Sequence, residues 1–221
     1  MGSGWVKTGV LTLALLAAWP TVARADAEED YQRGFEAYQD NDWINAIAIL
    51  RNAASSGHLK SMVLLGAVLD RAEEDQEAVK WYRKAAEMDS PAGAMGLGQM
   101  YDKGEGVSRK DPDEAFKWFS KAAEQGHAPA KYALANAFRH GLMGQPVNPD
   151  RAAQWLKASA ADKYTPAMID LAEVYRKGLL GVKPDADAGE QLRKEVRALE
   201  AQSREESTVV EKAKPAPAKG K

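Results

Sequence analysis

The chain has 221 residues, of which 45% are hydrophobic and 28% charged, with a net charge of −2 and no cysteine. This length and hydrophobic content are sufficient for a folded body with a substantial core. The absence of cysteine excludes disulfides, thiolate metal sites and a cysteine nucleophile, and the slightly acidic balance argues against a nucleic-acid partner.

Residues 1–25 have the features of a secretory signal peptide. Lys7 precedes an uncharged run from Thr8 to Ala23, and Pro20 and Arg24 make it shorter than the roughly 20 apolar residues of a transmembrane helix. The segment ends in an Ala-Arg-Ala triplet, which is typical of a cleavage site. We therefore predict export to a bacterial periplasm, with secretion or a eukaryotic secretory pathway as alternatives, and no transmembrane anchor after cleavage. The mature chain would keep 28 basic and 32 acidic residues, a net charge of −4.

A helical pattern recurs from residue 46 onward. Its positions i, i+3, i+4, i+7 and i+8 fall on one face of an α-helix, with small residues around a bulky central pair. The copies are Ala46, Ile49, Leu50, Ala53 and Ala54; Ala78, Trp81, Tyr82, Ala85 and Ala86; Ala115, Trp118, Phe119, Ala122 and Ala123; and Ala152, Trp155, Leu156, Ser159 and Ala160. Because one helix alone cannot bury such a face, stacked copies are expected to bury it against one another.

A second patterned helix precedes each of these helices. It has a small residue where a partner helix must approach closely, at Gly34, Gly66, Gly98, Ala135 and Ala172. The matching intervals of 32 and 37 residues in both kinds of helix predict five antiparallel helical hairpins. The connections 103–113 and 140–150 are longer and contain glycine and proline, which indicates extended turns.

The first and last helices of the array differ from the others. In the first, Tyr31, Gly34, Phe35 and Tyr38 form a shifted stripe. Either this helix rotates to close the core, which the burial of aromatic surface favours, or Phe35 and Tyr38 are exposed in the mouth of a groove. The last helix, from about Asp187 to Arg204, is largely polar, as a terminal helix requires.

Three domains follow from these patterns: the signal peptide 1–25, a repeat domain 26–205 and a tail 206–221. The tail loses periodicity and carries lysines among alanine and proline, so we predict that it is disordered. It either contacts an anionic envelope polymer or has no partner.

The segment from Leu97 to His127 resembles the Sel1-like repeat (SLR), a relative of the tetratricopeptide repeat. The shared positions are Leu97, Gly98, Tyr101, Gly104, Gly106, Val107, Asp111, Ala115, Trp118, Lys121, Ala122, Ala123, Gly126 and His127. The next unit, 130–160, is similar, while the two earlier units look closer to tetratricopeptide repeats. Over about residues 28–200, the resemblance implies an all-α fold, an α-solenoid with a right-handed superhelix of about five hairpins. It also implies an adaptor or scaffold role in bacterial envelope and secretion systems or eukaryotic membrane complexes.

The sequence contains none of the motifs His-Glu-x-x-His, Gly-x-Ser-x-Gly, Ser-x-x-Lys or a Walker loop. His58 and His127 each follow a glycine typical of a helix end, which predicts turn packing, and Asp111 is expected as an N-cap. We therefore predict no enzymatic activity, no cofactor and no metal site. The alternative is a cell-envelope enzyme or accessory factor acting on peptidoglycan or polysaccharide, which a nucleophile paired with a base in one cleft would indicate.

In superhelices of this family the first helix of each hairpin lines the concave groove. Its positions outside the core are therefore the candidate partner-binding residues: Phe35, Tyr38, Asp70, Arg71, Gln99, Asp102, Lys103, Asn136, Arg139, His140, Glu173 and Arg176. One row changes sign from Asp70 and Asp102 to Arg139 and Arg176, which predicts an extended segment of an envelope protein oriented by that gradient. The alternative is that these are solvated surface charges.

Overall fold

The computed structural model describes the backbone of residues 15–213 and the side chains of residues 26–207. The described backbone forms ten α-helices and no strand, which confirms the all-α prediction. The helices are α1 (Leu15–Gln39), α2 (Trp43–Ser55), α3 (Leu59–Arg71), α4 (Asp75–Glu87), α5 (Pro91–Lys103), α6 (Pro112–Glu124), α7 (Ala128–His140), α8 (Pro149–Ala161), α9 (Thr165–Lys177) and α10 (Ala186–Ala213). The described chain divides into two compact units, unit 1 up to Trp118 and unit 2 from Phe119.

The helix boundaries follow from the chemistry of their end residues. Asp42, Ser90 and Asn148 precede α2, α5 and α8, and each side chain accepts a hydrogen bond from the backbone N–H three residues later. Each bond satisfies a donor of the first turn. Asp111 accepts from the backbone N–H of Glu114 in the same way, which confirms its predicted role. Left-handed glycines end three of the helices, at Gly104, Gly141 and Gly178.

In unit 1 each helix from α1 to α5 packs against the next, and α3 also contacts both α1 and α5. This is the hairpin stacking that the repeat predicts, with successive first helices side by side. The predicted close approaches are confirmed, because a Cβ on Gly34 would lie 2.6 Å from Leu50 Cγ and one on Gly66 would lie 2.8 Å from the Tyr82 ring. The fully buried core side chains of unit 1 include Leu50, Met62, Leu65, Leu69, Leu97 and Met100.

In unit 2, α7 packs on α8, α8 on α9 and α9 on α10. Its core includes Leu156, Met168, Leu171, Val174 and Val196. The last helix, α10, contributes Val196 to this core, with Leu192 and Leu199 partly buried beside it. This narrow apolar face confirms the prediction of a polar terminal helix.

The bulky pair at the centre of the repeated pattern is buried unequally. The second member is buried in all four copies, at Leu50, Tyr82, Phe119 and Leu156, whereas the residue before it, Ile49 or a tryptophan, is only partly buried. The indole nitrogen explains this difference, because Trp81 Nε1 donates to Glu77 Oε1 at 3.2 Å, and an indole N–H needs such a partner. The tryptophans therefore lie at the edge of the core.

Two helices cross the predicted domain limits. Helix α1 is continuous from Leu15 through the predicted cleavage site after Ala25, and α10 continues to Ala213, eight residues beyond the predicted boundary at 205. Residues 1–14 and 214–221 lie outside the described residues, as do the side chains up to residue 25. The signal peptide and the remainder of the tail therefore stay predictions. No helix in the described part of the chain is both long enough and apolar enough to cross a membrane.

Candidate partner-binding site

An open cleft of about 700 Å³ lies in unit 1 where the first helices of three hairpins end. We call it the acidic cleft; it is lined by Tyr38, Ala67, Asp70, Arg71, Glu73, Asp75, Lys103 and Glu105. Helices α1, α3 and α5 end at Gln39, Arg71 and Lys103, and α4 begins at Asp75, so three helix ends and one helix start meet here. The loop after α5 is held tightly against α4, since a Cβ on Gly106 would lie 2.2 Å from the carbonyl oxygen of Asp75.

Negative charge exceeds positive charge in the acidic cleft. Four carboxylates and two cationic side chains line it. Lys103 Nζ forms ion pairs with two of the carboxylates, at 2.8 Å from Glu105 Oε2 and 3.6 Å from Asp70 Oδ1. The close carboxylate of Glu105 raises the pKa of Lys103, whereas burial and the charges of Glu105 and Asp70 raise the pKa of Asp75. The net negative charge of the cleft therefore favours the approach of a further cation.

Tyr38, near the end of α1, lines the acidic cleft, whereas Tyr31 and Phe35 are not among its lining residues. Tyr38 is partly buried, and its hydroxyl accepts a hydrogen bond of 2.7 Å from Arg71 Nη1. Phe35 stacks on Tyr31 at 6.2 Å between ring centroids, and both are partly buried. The structure thus lies between the two predicted alternatives: Gly34 packs in the core, and the aromatic side chains remain half accessible.

The remaining predicted residues of unit 1 lie on α5. Gln99 is exposed, and Asp102 Oδ1 lies 3.6 Å from Lys110 Nζ. Asp70 is thus paired with Lys103, the last residue of α5, and Asp102 with Lys110 in the connection after α5.

The predicted cationic row of unit 2 is paired with carboxylates. Arg139 Nη1 donates to Asp170 Oδ2 at 3.0 Å, and the same oxygen accepts from the Tyr132 hydroxyl at 2.9 Å. Arg176 donates from Nε and Nη2 to the two oxygens of Glu173, at 2.8 and 2.6 Å. The sign change predicted along this row is therefore reduced locally by Asp170 and Glu173. Of the other predicted residues, Asn136 is partly buried and His140 is exposed.

Three cations surround the carboxylate of Glu173, and we call this group the Glu173 cluster. Arg176 and Lys177 come from α9, and Arg193 Nη2 of α10 lies 3.4 Å from Glu173 Oε2. Hydrogen bonds from Arg176 and Lys177 lower the pKa of Glu173 to about 2. Positive charge therefore exceeds negative charge here, the reverse of the acidic cleft.

The predicted partner-binding residues lack five charged residues of these two surfaces: Lys177, which follows the predicted Arg176 on α9, and four that lie outside the first helices. Glu73, Asp75 and Glu105 belong to interhelical turns or a helix start, and Arg193 lies on the terminal helix, so none occupies a position outside the core on a first helix. The acidic run at positions 73–75 was the available signal for the cleft.

Carboxylate oxygens of Asp70, Asp75 and Glu105 lie within 4.8 Å of one another, a spacing that ligands of a hard cation have. Lys103 already provides a positive charge to two of them. The geometry is that of an ion-pair cluster, and the absence of a metal site stays a prediction.

One serine–histidine–carboxylate contact occurs in unit 1. His58 Nδ1 lies 2.8 Å from Ser61 Oγ, and His58 Nε2 lies 3.2 Å from Glu28 Oε2. Ser61 is fully buried, so its hydroxyl is not placed to attack a substrate. His58 follows the left-handed Gly57 (φ +95°) and is the N-cap residue before α3, which confirms the predicted turn packing. The contact joins α1 to α3.

Stacked helices of 13 residues, α2 to α9, with buried small-residue faces define a helical-repeat protein of the α-solenoid class. The Sel1 repeat model matches four consecutive segments, residues 64–90, 91–127, 128–164 and 165–192. Because these segments cover more than half of the chain, the chain belongs to the Sel1 repeat family. The Sel1 fold is typical of protein–protein interaction scaffolds, and Sel1 repeat proteins are generally non-catalytic.

Solved structures agree with this assignment. A Sel1 repeat protein from Oxalobacter formigenes is 28% identical, with a TM-score of 0.70, over 77% of this chain and 70% of that one. The protein c5321, a protective antigen present in uropathogenic Escherichia coli strains, displays an SLR fold and is 27% identical, with a TM-score of 0.64. The alignment covers 86% of this chain but only 41% of c5321. A Klebsiella pneumoniae protein at 18% identity shares the fold, with a TM-score of 0.54. No curated protein matches the chain.

Proposed function

We propose that this chain is an exported, non-enzymatic scaffold that binds an extended segment of a partner protein along the first helices of its hairpins. The acidic cleft is the observation that carries this proposal. Four predicted partner-binding residues, from three successive first helices, line it: Tyr38 of α1, Asp70 and Arg71 of α3, and Lys103 of α5.

The shape and chemistry of the cleft suit a peptide better than a small molecule. It is open and lined mostly by charged side chains, whereas sites for small organic ligands are enclosed and mainly apolar. A segment laid across α1, α3 and α5 would meet one first helix after another, as in groove recognition by helical repeats.

We further propose that the scaffold works in a bacterial periplasm. The support is the sequence of residues 1–25, with Lys7, the uncharged run after it and the final Ala-Arg-Ala triplet. Mass spectrometry of the protein from a periplasmic fraction is expected to find Asp26 as the first residue. Recovery of the uncleaved chain from the cytoplasmic fraction alone would contradict export.

Site-specific photocrosslinking in the native cell tests the binding surface. A photoreactive amino acid at Arg71 or Gln99, both exposed on first helices, is expected to capture the same partner protein. Exposed positions Glu87 and Glu124 on second helices are the matched controls and are expected not to capture it. Equal capture from all four positions would contradict the assignment of the surface, and recovery of peptidoglycan fragments in place of a protein would favour an envelope accessory role.

A further inference from the structure

The Glu173 cluster holds more positive charge than its carboxylate neutralises. Arg176, Lys177 and Arg193 surround a single carboxylate, which leaves a formal charge of +2 on a small surface formed by α9 and α10. The three cationic side chains carry many more N–H donors than the roughly four acceptor positions that one carboxylate offers. Donors therefore remain for a second anionic group.

These donors are accessible to solvent. The side chains of Arg176, Lys177 and Arg193 are 49%, 51% and 48% exposed. A ligand can thus reach the cluster without any rearrangement of the core.

Other ion pairs of unit 2 match one cation to one carboxylate. They include Arg139 with Asp170, Lys131 with Asp162, Lys163 with Glu195, and Arg197 with Glu190. Such pairs are electrically neutral. The excess of positive charge in the Glu173 cluster is therefore a local feature of α9 and α10.

We propose that the Glu173 cluster is a binding site for the carboxylate side chains of an acidic segment of a partner protein, with Glu173 as a resident competitor. The cluster already shows the mode of binding, because Arg176 holds Glu173 through two parallel hydrogen bonds, the geometry by which arginine recognises carboxylates. This inference rests on the proposed scaffold function and specifies the chemistry of the segment that unit 2 recognises.

Fluorescence polarisation with a labelled hexaglutamate peptide and the intact chain tests the site. Hexaglutamate is expected to bind and hexaglutamine is not. The double change Lys177→Gln with Arg193→Gln is expected to weaken binding about two- to twentyfold, because each exposed ion pair contributes between about 1.4-fold and fivefold. Lys194→Gln with Arg197→Gln is the control, since it removes the same charge and also alters α10, and it is expected to change binding less than twofold.

The substitution Glu173→Gln distinguishes binding at the Glu173 cluster from non-specific electrostatic attraction to the whole surface. It removes the resident carboxylate and frees three cations, so hexaglutamate is expected to bind about two- to fivefold more tightly. The control Glu190→Gln makes the same charge change but frees only Arg197, and a smaller gain is expected. Circular dichroism of each variant checks that the fold is unchanged.

Three outcomes would overturn the proposal: no binding of hexaglutamate, equal weakening by the test and control lysine–arginine pairs, or equal gains from Glu173→Gln and Glu190→Gln. Tight binding of inorganic phosphate at matched ionic strength, without binding of hexaglutamate, would also overturn it in favour of a phosphorylated ligand. Failure here leaves the photocrosslinking test of the scaffold function unaffected. If hexaglutamate binds but no partner is captured, the binding site would stand and the scaffold function would be contradicted.

Discussion

The two units contain the same hairpin repeat but have opposite charge balances on the surfaces of their first helices. In the acidic cleft of unit 1, four carboxylates face two cations, and Lys103 forms ion pairs with both Asp70 and Glu105. In the Glu173 cluster of unit 2, one carboxylate faces three cations. The comparison shows that the repeat fixes the helices and the core. The turns of unit 1 make its cleft acidic, while in unit 2 the terminal helix adds to a positive charge that α9 already carries.

The largest expected effect concerns the core of unit 1. Tyr82→Ala is expected to lower the free energy of unfolding by about 3–5 kcal/mol, because it removes a buried ring that fills the space between Gly66 and Gly96. Hydrogen exchange is expected to show the larger loss of protection in α3 to α5, with α7 to α9 less affected. Equal loss in all these helices would show that the two units unfold together.

The next effect tests the close approach of helices in unit 1. Gly66→Val is expected to lower the free energy of unfolding by about 2–3 kcal/mol, because even its Cβ would lie 2.8 Å from the Tyr82 ring. The equivalent position in unit 2 is Ala135, where a Cβ is already present, and Ala135→Gly is expected to lower it by only about 1 kcal/mol. Thermal denaturation of both variants checks this order, and a neutral Gly66→Val would refute the account of the small positions.

Two non-glycine residues have a left-handed backbone conformation, and replacing them by glycine is expected to increase stability by a smaller amount. Glu73 has φ 61° in unit 1 and Lys163 has φ 61° in unit 2. Glu73→Gly is expected to raise the free energy of unfolding by about 0.5–1 kcal/mol through relief of strain. Lys163→Gly is expected to gain less, since it also removes the ion pair with Glu195. Chemical denaturation of the two variants tests the difference, and a larger gain at Lys163 would be inconsistent with it.

The smallest expected effect is on the pH dependence of stability, through the protonation of Asp75 and Glu173. Asp75 has a raised pKa and Glu173 a pKa lowered to about 2, so NMR titration is expected to protonate Asp75 first as the pH falls. Glu173 contributes stability that is present above its ordinary pKa near 4.5 and is lost as the pH falls towards 2. Asp75 has the opposite sign, because its folded pKa lies above 3.8 and its protonation favours the folded state. Protonation of Glu173 before Asp75 would contradict the contrast between the two surfaces.

Much of the fold followed from the sequence because the buried faces repeat. The spacing of Gly34 and Gly66 predicted the close approaches that the structure shows, and Asp111 predicted a helix start. The charge balance of the surfaces could not be predicted in the same way. Ion pairs such as that between Arg139 and Asp170 join side chains 31 positions apart, and they depend on how neighbouring first helices pack. Arg176 pairs with Glu173, which is only three residues away on the same helix. The two residues belong to different rows of positions, so the charge of one row alone does not predict the pair.

The most direct test of the central claim is a binding titration of the captured partner with two variants of the intact chain. One replaces Asp70 and Glu105 of the acidic cleft by Asn and Gln, and the other replaces Lys177 and Arg193 of the Glu173 cluster by Gln. If the first helices form the binding surface, each variant binds the partner at least about threefold more weakly, while a control with Glu87→Gln and Glu124→Gln, both on second helices, binds within about twofold of the unmodified chain. Unchanged affinity in both variants would contradict the account.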